Sequence, residues 1–132
     1  MRLFFYVSCL IGVSQLVLAA LYFAVSLPFL AWQGLTPPAA DLGYPLAMLA
    51  ARFFVYGVGM FWIARDPHKH LFWARGMILI QLMDLAAGAA YVGMGHVAVA
   101  NAALPMVNAA LFAVALFVTL NRALAERKVL VV

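Results

Sequence analysis

Residues 45–93 read PLAMLAARFFVYGVGMFWIARDPHKHLFWARGMILIQLMDLAAGAAYVG, two apolar runs joined by a short polar turn at 65–70. Each run is long enough to cross the hydrocarbon core of a bilayer, which takes about 20 helical residues. Each run also has one charge in its interior, Arg52 in the first and Asp84 in the second. Because a short turn forces neighbouring helices to lie antiparallel, this stretch predicts a transmembrane hairpin with both charges at similar depth.

The composition of the whole chain agrees with a membrane protein. Of its 132 residues, 69% are hydrophobic and 9% are charged, whereas soluble domains are about 45–50% apolar and about 25% charged. A small soluble domain has too much surface to bury such an excess. The net charge is +4, but the basic residues lie at the edges of the apolar runs, which argues against nucleic-acid binding. We therefore expect a single-domain, all-α integral membrane protein whose main partner is the lipid bilayer.

Two further apolar runs bring the predicted number of spans to four. They are expected at about 3–32, 45–65, 67–93 and 97–122, with 123–132 as a tail. Asp66 is expected to cap the third span, with Pro67 as its first helical residue. The first run is longer than a bilayer needs, so it tilts or extends beyond the hydrocarbon. A cleaved signal peptide is the competing interpretation, but apolar segments of signal peptides are typically only ~7–15 residues long.

The basic residues predict how the spans are oriented. Seven of the eight mark one end of the spans, and they are Arg2, Arg65, Lys69, Arg75, Arg122, Arg127 and Lys128. The opposite loops, 33–44 and 94–98, contain none. Since cytoplasmic loops carry an excess of Lys and Arg, both termini are predicted to be cytoplasmic. The short second and third connections then predict an antiparallel four-helix bundle with up-down-up-down order.

Each span has one small and polar face at helical spacing. The four faces are Ser8, Gly12, Gln15, Ala19, Tyr22 and Ser26; Met48, Arg52, Tyr56 and Gly59; Met77, Gln81, Asp84, Gly88 and Tyr91; and Asn101, Pro105, Asn108, Phe112, Ala115 and Thr119. Small residues let helices approach closely, and polar residues form hydrogen bonds between helices. We therefore expect these faces to point into the bundle and the remaining faces to contact lipid.

Folding the chain about its turns predicts a candidate site. Tyr22, Arg52, Asp84 and Asn108 fall at one level, about 10–14 Å below the non-cytoplasmic face at the rise of a helix. An ionised side chain at the bilayer centre costs at least ~2.5–3.5 kcal/mol, so the two charges are predicted to form an ion pair. The candidate ligand or ion-pair site comprises Arg52, Asp84, Asn108, Tyr22, Tyr56, Gln81 and Gln15.

Two interpretations of the ion pair remain open. In the first, Arg52 and Asp84 lock the bundle together, since an unpaired charge in the membrane is costly and pairing needs no functional explanation. In the second, the polar faces line a cavity that opens outward, and the pair orients a ligand or relays a proton, as ionisable residues within membranes often do. The two interpretations are compatible if the pair forms the floor of a pocket.

The sequence gives little support for a metal centre or an enzyme active site. His68 and His70 lie in one turn and His96 lies in the opposite one, a membrane thickness away. A haem in a helical bundle needs ligands that face each other on two helices. There is no Ser-His-Asp set, no Gly-rich phosphate loop and no second cysteine beside Cys9. We therefore expect no metal, and an enzymatic role is the less expected one.

The stretches AARFFVYGVGM at 50–60 and ARDPHKH at 64–70 resemble the small bacterial four-helix proteins related to DoxX. That group often has an arginine early in the second span, a Gly-rich face after it and an Ala-Arg-Asp-Pro turn. The resemblance implies a multi-pass protein of the bacterial inner membrane. Some members resemble membrane subunits of quinone-linked redox systems. The resemblance supplies no catalytic residue, and Asp84 is not part of the family pattern.

Three functions are consistent with these features. The first is a non-enzymatic bundle that binds a lipid or a quinone, or that serves as an accessory subunit of a larger membrane complex or as a homo-oligomer. The second is a small transporter or channel that uses Arg52 and Asp84. The third is a quinone-linked redox subunit.

Overall fold

The computed structural model describes residues 1–36, 41 and 43–129, with side chains up to residue 126, and it contains no strand in these ranges. Its five helices are α1 (Arg2–Ala24), α2 (Ser26–Trp32), α3 (Gly43–Arg65), α4 (Leu71–Gly93) and α5 (Val99–Val129). Four of them, α1, α3, α4 and α5, are long and apolar enough to cross a membrane, which indicates a multi-pass membrane protein. Residues 37–40 and 42 of the Pro-rich first loop and the last three residues of the predicted tail lie outside the described ranges.

The first predicted span, 3–32, is two helices rather than one. The break lies at Val25, whose φ of −139° and ψ of 39° are not helical. Its cause is Pro28, which has no N–H to donate to the carbonyl of Ala24 and whose ring would clash with that carbonyl in a continuous helix. With 23 residues, α1 is still about 35 Å long and can cross the hydrocarbon core alone.

The long helices form two closely packed pairs. α1 packs along α3, and α4 packs along α5; contact between the pairs runs mainly through α1 and α5, while α3 and α4 touch only sparsely. In the first pair, a Cβ added at Gly12 would lie 3.0 Å from the carbonyl oxygen of Gly57. In the second pair, a Cβ added at Gly88 would lie 2.7 Å from Cγ of Met106. Glycine therefore lets the backbones approach within each pair.

The predicted inward faces are correct for α1 but not for α3. In α1, Ser8, Gly12, Gln15 and Ala19 are all buried, as predicted. In α3, Arg52 is exposed, and the buried residues are instead Ala50, Gly57, Met60, Ile63 and Ala64. The reason is that α3 turns its smallest side chains toward α1, since close backbone packing needs small residues more than polar ones.

An apolar core joins the two pairs at one end of the bundle. It consists of Phe4, Ile11, Met60, Ile63, Ala74, Met77, Leu116, Leu120 and Ala123. These residues come from the start of α1, the end of α3, the start of α4 and the later part of α5. We call this the basic end, because Arg2, Arg65, Arg75 and Arg122 also belong to it, and we call the end with the 33–44 and 94–98 connections the loop end.

The turn between α3 and α4 differs from the prediction. α4 begins at Leu71, later than the expected start at Pro67. The Oδ1 atom of Asp66 accepts hydrogen bonds from the backbone N–H of His68 at 3.1 Å and of Lys69 at 3.2 Å. Asp66 therefore caps the connecting turn rather than α4, because its carboxylate is taken by the two amides nearest to it in the turn. The backbone N–H of Lys69 is the main reason that the pKa of Asp66 lies below its usual value.

The lowered pKa of Asp66 predicts an acid-dependent loss of stability. A carboxylate with a depressed native pKa stabilises the fold above its unfolded pKa of about 3.9, and the effect is lost as pH falls through the native pKa. We expect the Asp66→Asn variant to unfold at a lower temperature than the wild type at neutral pH. The difference should disappear in strong acid, measured by thermal unfolding in detergent. A difference that is constant across pH would contradict this account of the turn.

Close packing of α1 on α3 predicts that alanine substitution of two glycines will have different effects on stability. A Cβ at Gly12 meets the backbone oxygen of Gly57 and Cβ of Met60 at 3.0 and 3.2 Å, whereas a Cβ at Gly59 has nothing within 4 Å. We expect Gly12→Ala to lower the free energy of unfolding by about 1–3 kcal/mol through overpacking. Gly59→Ala is the matched control and should leave stability unchanged or slightly raised. Unfolding of the two variants in mixed micelles measures the difference, and equal stabilities would refute it.

Candidate functional site

The four residues predicted to lie at one level come from the four long helices. Tyr22 lies on α1 and Asn108 on α5, and both are half-buried. Arg52 lies on α3 and Asp84 on α4, and both are exposed. The two charges are therefore not enclosed by protein.

The direct ion pair between Arg52 and Asp84 is not formed. The described residues hold two ion pairs, Met1 amino group to Glu126 and Lys69 to Asp66, the latter at 3.4 Å. Neither intramembrane charge takes part in them. The structure therefore gives no support to the interpretation in which a direct Arg52–Asp84 bond locks the bundle. Their role as a site stays a prediction.

Each charge nevertheless lies in line with a buried core residue farther along its own helix. Arg52 lies about three helical turns before Ile63, and Asp84 lies about two turns after Met77. Each charge is therefore on the same lengthwise stripe of its helix as that buried residue. Ile63 and Met77 belong to the apolar core and are 3% and 2% exposed. The same stripe is thus covered at the basic end and uncovered farther along the helix.

On α5, exposure also increases toward the loop end, but to a smaller degree. Asn108 lies about three turns before Thr119 on one stripe of α5. Thr119 is 5% exposed, whereas Asn108 is half-buried. On α3, α4 and α5, the stripe that contains the candidate residue is therefore buried at the basic end and more exposed toward the loop end.

The helices pack closely within each pair, whereas the two pairs touch each other less. On α4, every buried residue precedes Asp84, and these are Ala74, Met77 and Gln81. Within the pairs, close contact continues toward the loop end, where Ala19, Ala50, Ala102 and Ala109 are buried. We use the word crevice for the region between the pairs that is bordered by Tyr22, Arg52, Asp84 and Asn108.

Tyr22 forms an aromatic wall of this crevice. Its ring stacks on Phe53 of α3 at 5.6 Å between centroids and meets the edge of Phe29 of α2 at 5.2 Å. Its hydroxyl lies near the side chain of Gln33.

A hydrogen bond ties the two pairs together at the loop end. Nδ2 of Asn101, in the first turn of α5, donates to the carbonyl of Gly34 at 2.8 Å. Gly34 adopts a φ of +75°, and the bonds Gly34 N–H to Ala31 and Leu35 N–H to Leu30 close the end of α2 in a Schellman motif. The crevice is thus bridged above by this bond and bounded below by the apolar core. Its open side is the gap between α3 and α4, where contact is sparse.

The remaining predicted site residues lie below the crevice. Gln81 is 3% exposed and Gln15 is 5% exposed, while Tyr56 packs against the apolar core. Nε2 of Gln81 reaches only Sδ of Met77, at 3.8 Å, and the hydroxyl of Ser8 is buried without a partner among the described residues. A buried polar group without a partner costs about 1–3 kcal/mol. The protein therefore leaves hydrogen-bonding capacity unused beneath the crevice.

Sequence reasoning missed the residues that shape the loop end. It did not identify Gln33, which lies beside Tyr22, or Gly34, which accepts from Asn101. A bond between positions so far apart in the chain leaves no local spacing that could reveal it. The glycine after an apolar helix was the one local signal, since Gly commonly ends helices in this conformation.

The chemistry available in the crevice is that of one guanidinium, one carboxylate, a phenol and an amide. Over the part of the chain that the structure describes, no three His, Cys, Asp or Glu side chains lie together as a metal site would need. Hydrogen bonding and charge recognition are therefore what these groups can provide.

Comparison of the chain with protein-family models, curated proteins and solved structures finds no match. The resemblance of residues 50–70 to the DoxX-related proteins therefore stays a prediction.

The bond between Asn101 and Gly34 predicts that removing its donor will lower local stability at the end of α2. Asn101→Leu removes the donor at similar volume, and losing a hydrogen bond worth about 0.5–1.5 kcal/mol should speed local amide exchange by about two- to ten-fold. Hydrogen–deuterium exchange of the peptide covering 30–36 measures this in detergent. Asn108→Leu makes the same chemical change two turns further along α5 and is the control. Equal exchange in the two variants would show that the bond does not hold the loop end.

Proposed function

We propose that this chain is a multi-pass protein of the bacterial inner membrane that binds an amphipathic molecule, a lipid or a quinone, in the crevice. In this proposal the spans alternate up-down-up-down and both termini are cytoplasmic, in accord with the positive charges at the basic end. The protein acts alone, as a homo-oligomer or as an accessory subunit of a larger membrane complex. One observation carries the proposal: Arg52 and Asp84 lie in line with buried core residues of their helices and yet are exposed and unpaired with each other.

The energetics favour an occupant that bonds to the two charges. Each ionised group costs at least ~2.5–3.5 kcal/mol near the bilayer centre when it faces hydrocarbon. A direct Arg52–Asp84 pair would offset this cost, but it is not formed. Water or the polar head of a ligand offsets it equally well, because both supply hydrogen-bond partners to a guanidinium and a carboxylate.

The walls of the crevice fit a molecule with a polar head and an apolar tail. Arg52 offers only donors and Asp84, when ionised, only acceptors, while Asn108 and Tyr22 offer both. Phe53 and Phe29 supply apolar surface beside Tyr22. The sparse contact between α3 and α4 gives the tail a sideways route into the lipid. A ligand of this kind enters from the bilayer without crossing water.

A transporter or channel is the second candidate. The supporting observation is that two buried polar groups lie between Asp84 and the basic end: Gln81, which bonds only to the sulfur of Met77, and Ser8, which has no partner among the described residues. In this case Asp84→Asn abolishes flux in proteoliposomes while the protein still inserts and folds. Unchanged flux through the variant would reject this candidate.

The binding proposal predicts a selective effect of one arginine. Arg52→Gln removes a charged hydrogen-bond donor worth about 1.5–3 kcal/mol, so affinity should fall by about ten- to a hundred-fold. The probe is a short-chain ubiquinone, titrated in mild detergent and followed by quenching of tryptophan fluorescence. Mass spectrometry of extracted lipids shows in parallel which small molecules co-purify.

Arg75→Gln is the matched control, because Arg75 is also an exposed arginine in a spanning helix but lies at the basic end. It should bind the probe as the wild type does. Equal weakening in both variants, or a wild-type protein that carries no small molecule and binds no quinone, would overturn the proposal.

A further inference from the structure

A groove of about 300 Å³ lies at the basic end, between the start of α1 and the end of α3. It is far from the crevice. The residues that line it are Met1, Arg2, Phe4, Phe5, Tyr6, Ala64, Arg65 and Pro67. Two of these side chains are cationic and none is anionic, so the groove has the charge of an anion-binding site.

The two arginines of the groove are not neutralised by the protein. The chain has four carboxylates. Glu126 pairs with the amino group of Met1, and Asp66 pairs with Lys69 and two backbone amides. Asp41 and Asp84 belong to the loop-end half of the chain. Within the described ranges, neither Arg2 nor Arg65 therefore has an ion-pair partner.

A second groove at the basic end contains a carboxylate beside its arginines and serves for comparison. It has a volume of about 360 Å³ and is lined by Arg2, Arg122 and Glu126, among others. Glu126 lines this groove. Its carboxylate would repel a bound anion, because like charges repel strongly where bulk water does not separate them. The first groove is thus the better anion site of the two, and Arg122 offers an internal control.

The surroundings of the first groove place it at the membrane surface. Phe5 and Tyr6 are 43% and 67% exposed and meet edge to face, and Trp62 near the end of α3 is 59% exposed. Exposed Trp and Tyr at the ends of spanning helices mark the headgroup level of a bilayer. An anion held by Arg2 and Arg65 would therefore lie at the depth of lipid phosphates, with apolar side chains beside it for an acyl chain.

We propose that the groove between α1 and α3 binds the phosphate of an anionic phospholipid, held by Arg2 and Arg65. Arginine recognises phosphate through parallel hydrogen bonds in a fixed fork geometry. Two arginines favour a lipid of net negative charge over a zwitterionic one, because they repel the ammonium group of phosphatidylcholine. The site does not depend on the crevice or on its ligand.

The test measures lipid retention by native mass spectrometry. Protein is taken from micelles that contain equal parts of phosphatidylglycerol and phosphatidylcholine. The wild type should retain phosphatidylglycerol preferentially. Each arginine contributes about five-fold to the preference, from about 1 kcal/mol per basic residue near the surface, so Arg2→Gln with Arg65→Gln should lower it about twenty-five-fold. Arg122→Gln should leave it unchanged.

Three outcomes would overturn the proposal. The first is equal retention of both lipids by the wild type, a result that does not depend on any variant folding. The second is an equal loss in Arg122→Gln and in the double variant, which would indicate a general effect of positive charge. The third is full displacement of phosphatidylglycerol by inorganic phosphate at matched concentration, which would indicate a free-phosphate site. Retention of the preference by Arg2→Lys with Arg65→Lys would support a charge-based site.

Discussion

The apolar core at the basic end is the contact on which the whole arrangement depends. Phe4, Met60 and Leu116, from three different helices, are at most 2% exposed and hold the two helix pairs against each other. In a bilayer, lipid is as apolar as the core, so burial alone gives little force and dense packing must supply the attraction. Beyond that packing, α3 and α4 touch only sparsely, and Arg52 and Asp84 are exposed. The crevice is thus a consequence of a core confined to one half of the bundle.

The general fold was predictable from the sequence because it rests on local features. Span length and hydropathy gave four helices that can cross a membrane, and helical spacing gave the buried face of α1 correctly. The face of α3 was wrong because Ala50 and Gly57 decide it by packing against α1, and polarity does not report that contact. The break at Val25 was missed because Pro28, which causes it, lies several residues beyond it in an otherwise apolar run.

The candidate site was only partly predictable, for a different reason. The sequence predicts that Tyr22, Arg52, Asp84 and Asn108 lie at one level, since depth follows from the rise of a helix and the positions of the turns, and this level stays a prediction. It could not give the distance between the pairs, which depends on how far the core extends along the bundle. An expected contact between Arg52 and Asp84 assumed evenly packed helices, whereas α3 and α4 touch only sparsely. The bond from Asn101 to Gly34 belongs to the same class of long-range feature.

The two helix pairs are joined at both ends of the bundle. The packing around Leu116 joins them at the basic end, and the bond from Asn101 to Gly34 joins them at the loop end. Leu116 and Asn101 both belong to α5, so this one helix braces the bundle along its length. By contrast, α3 and α4 scarcely touch each other.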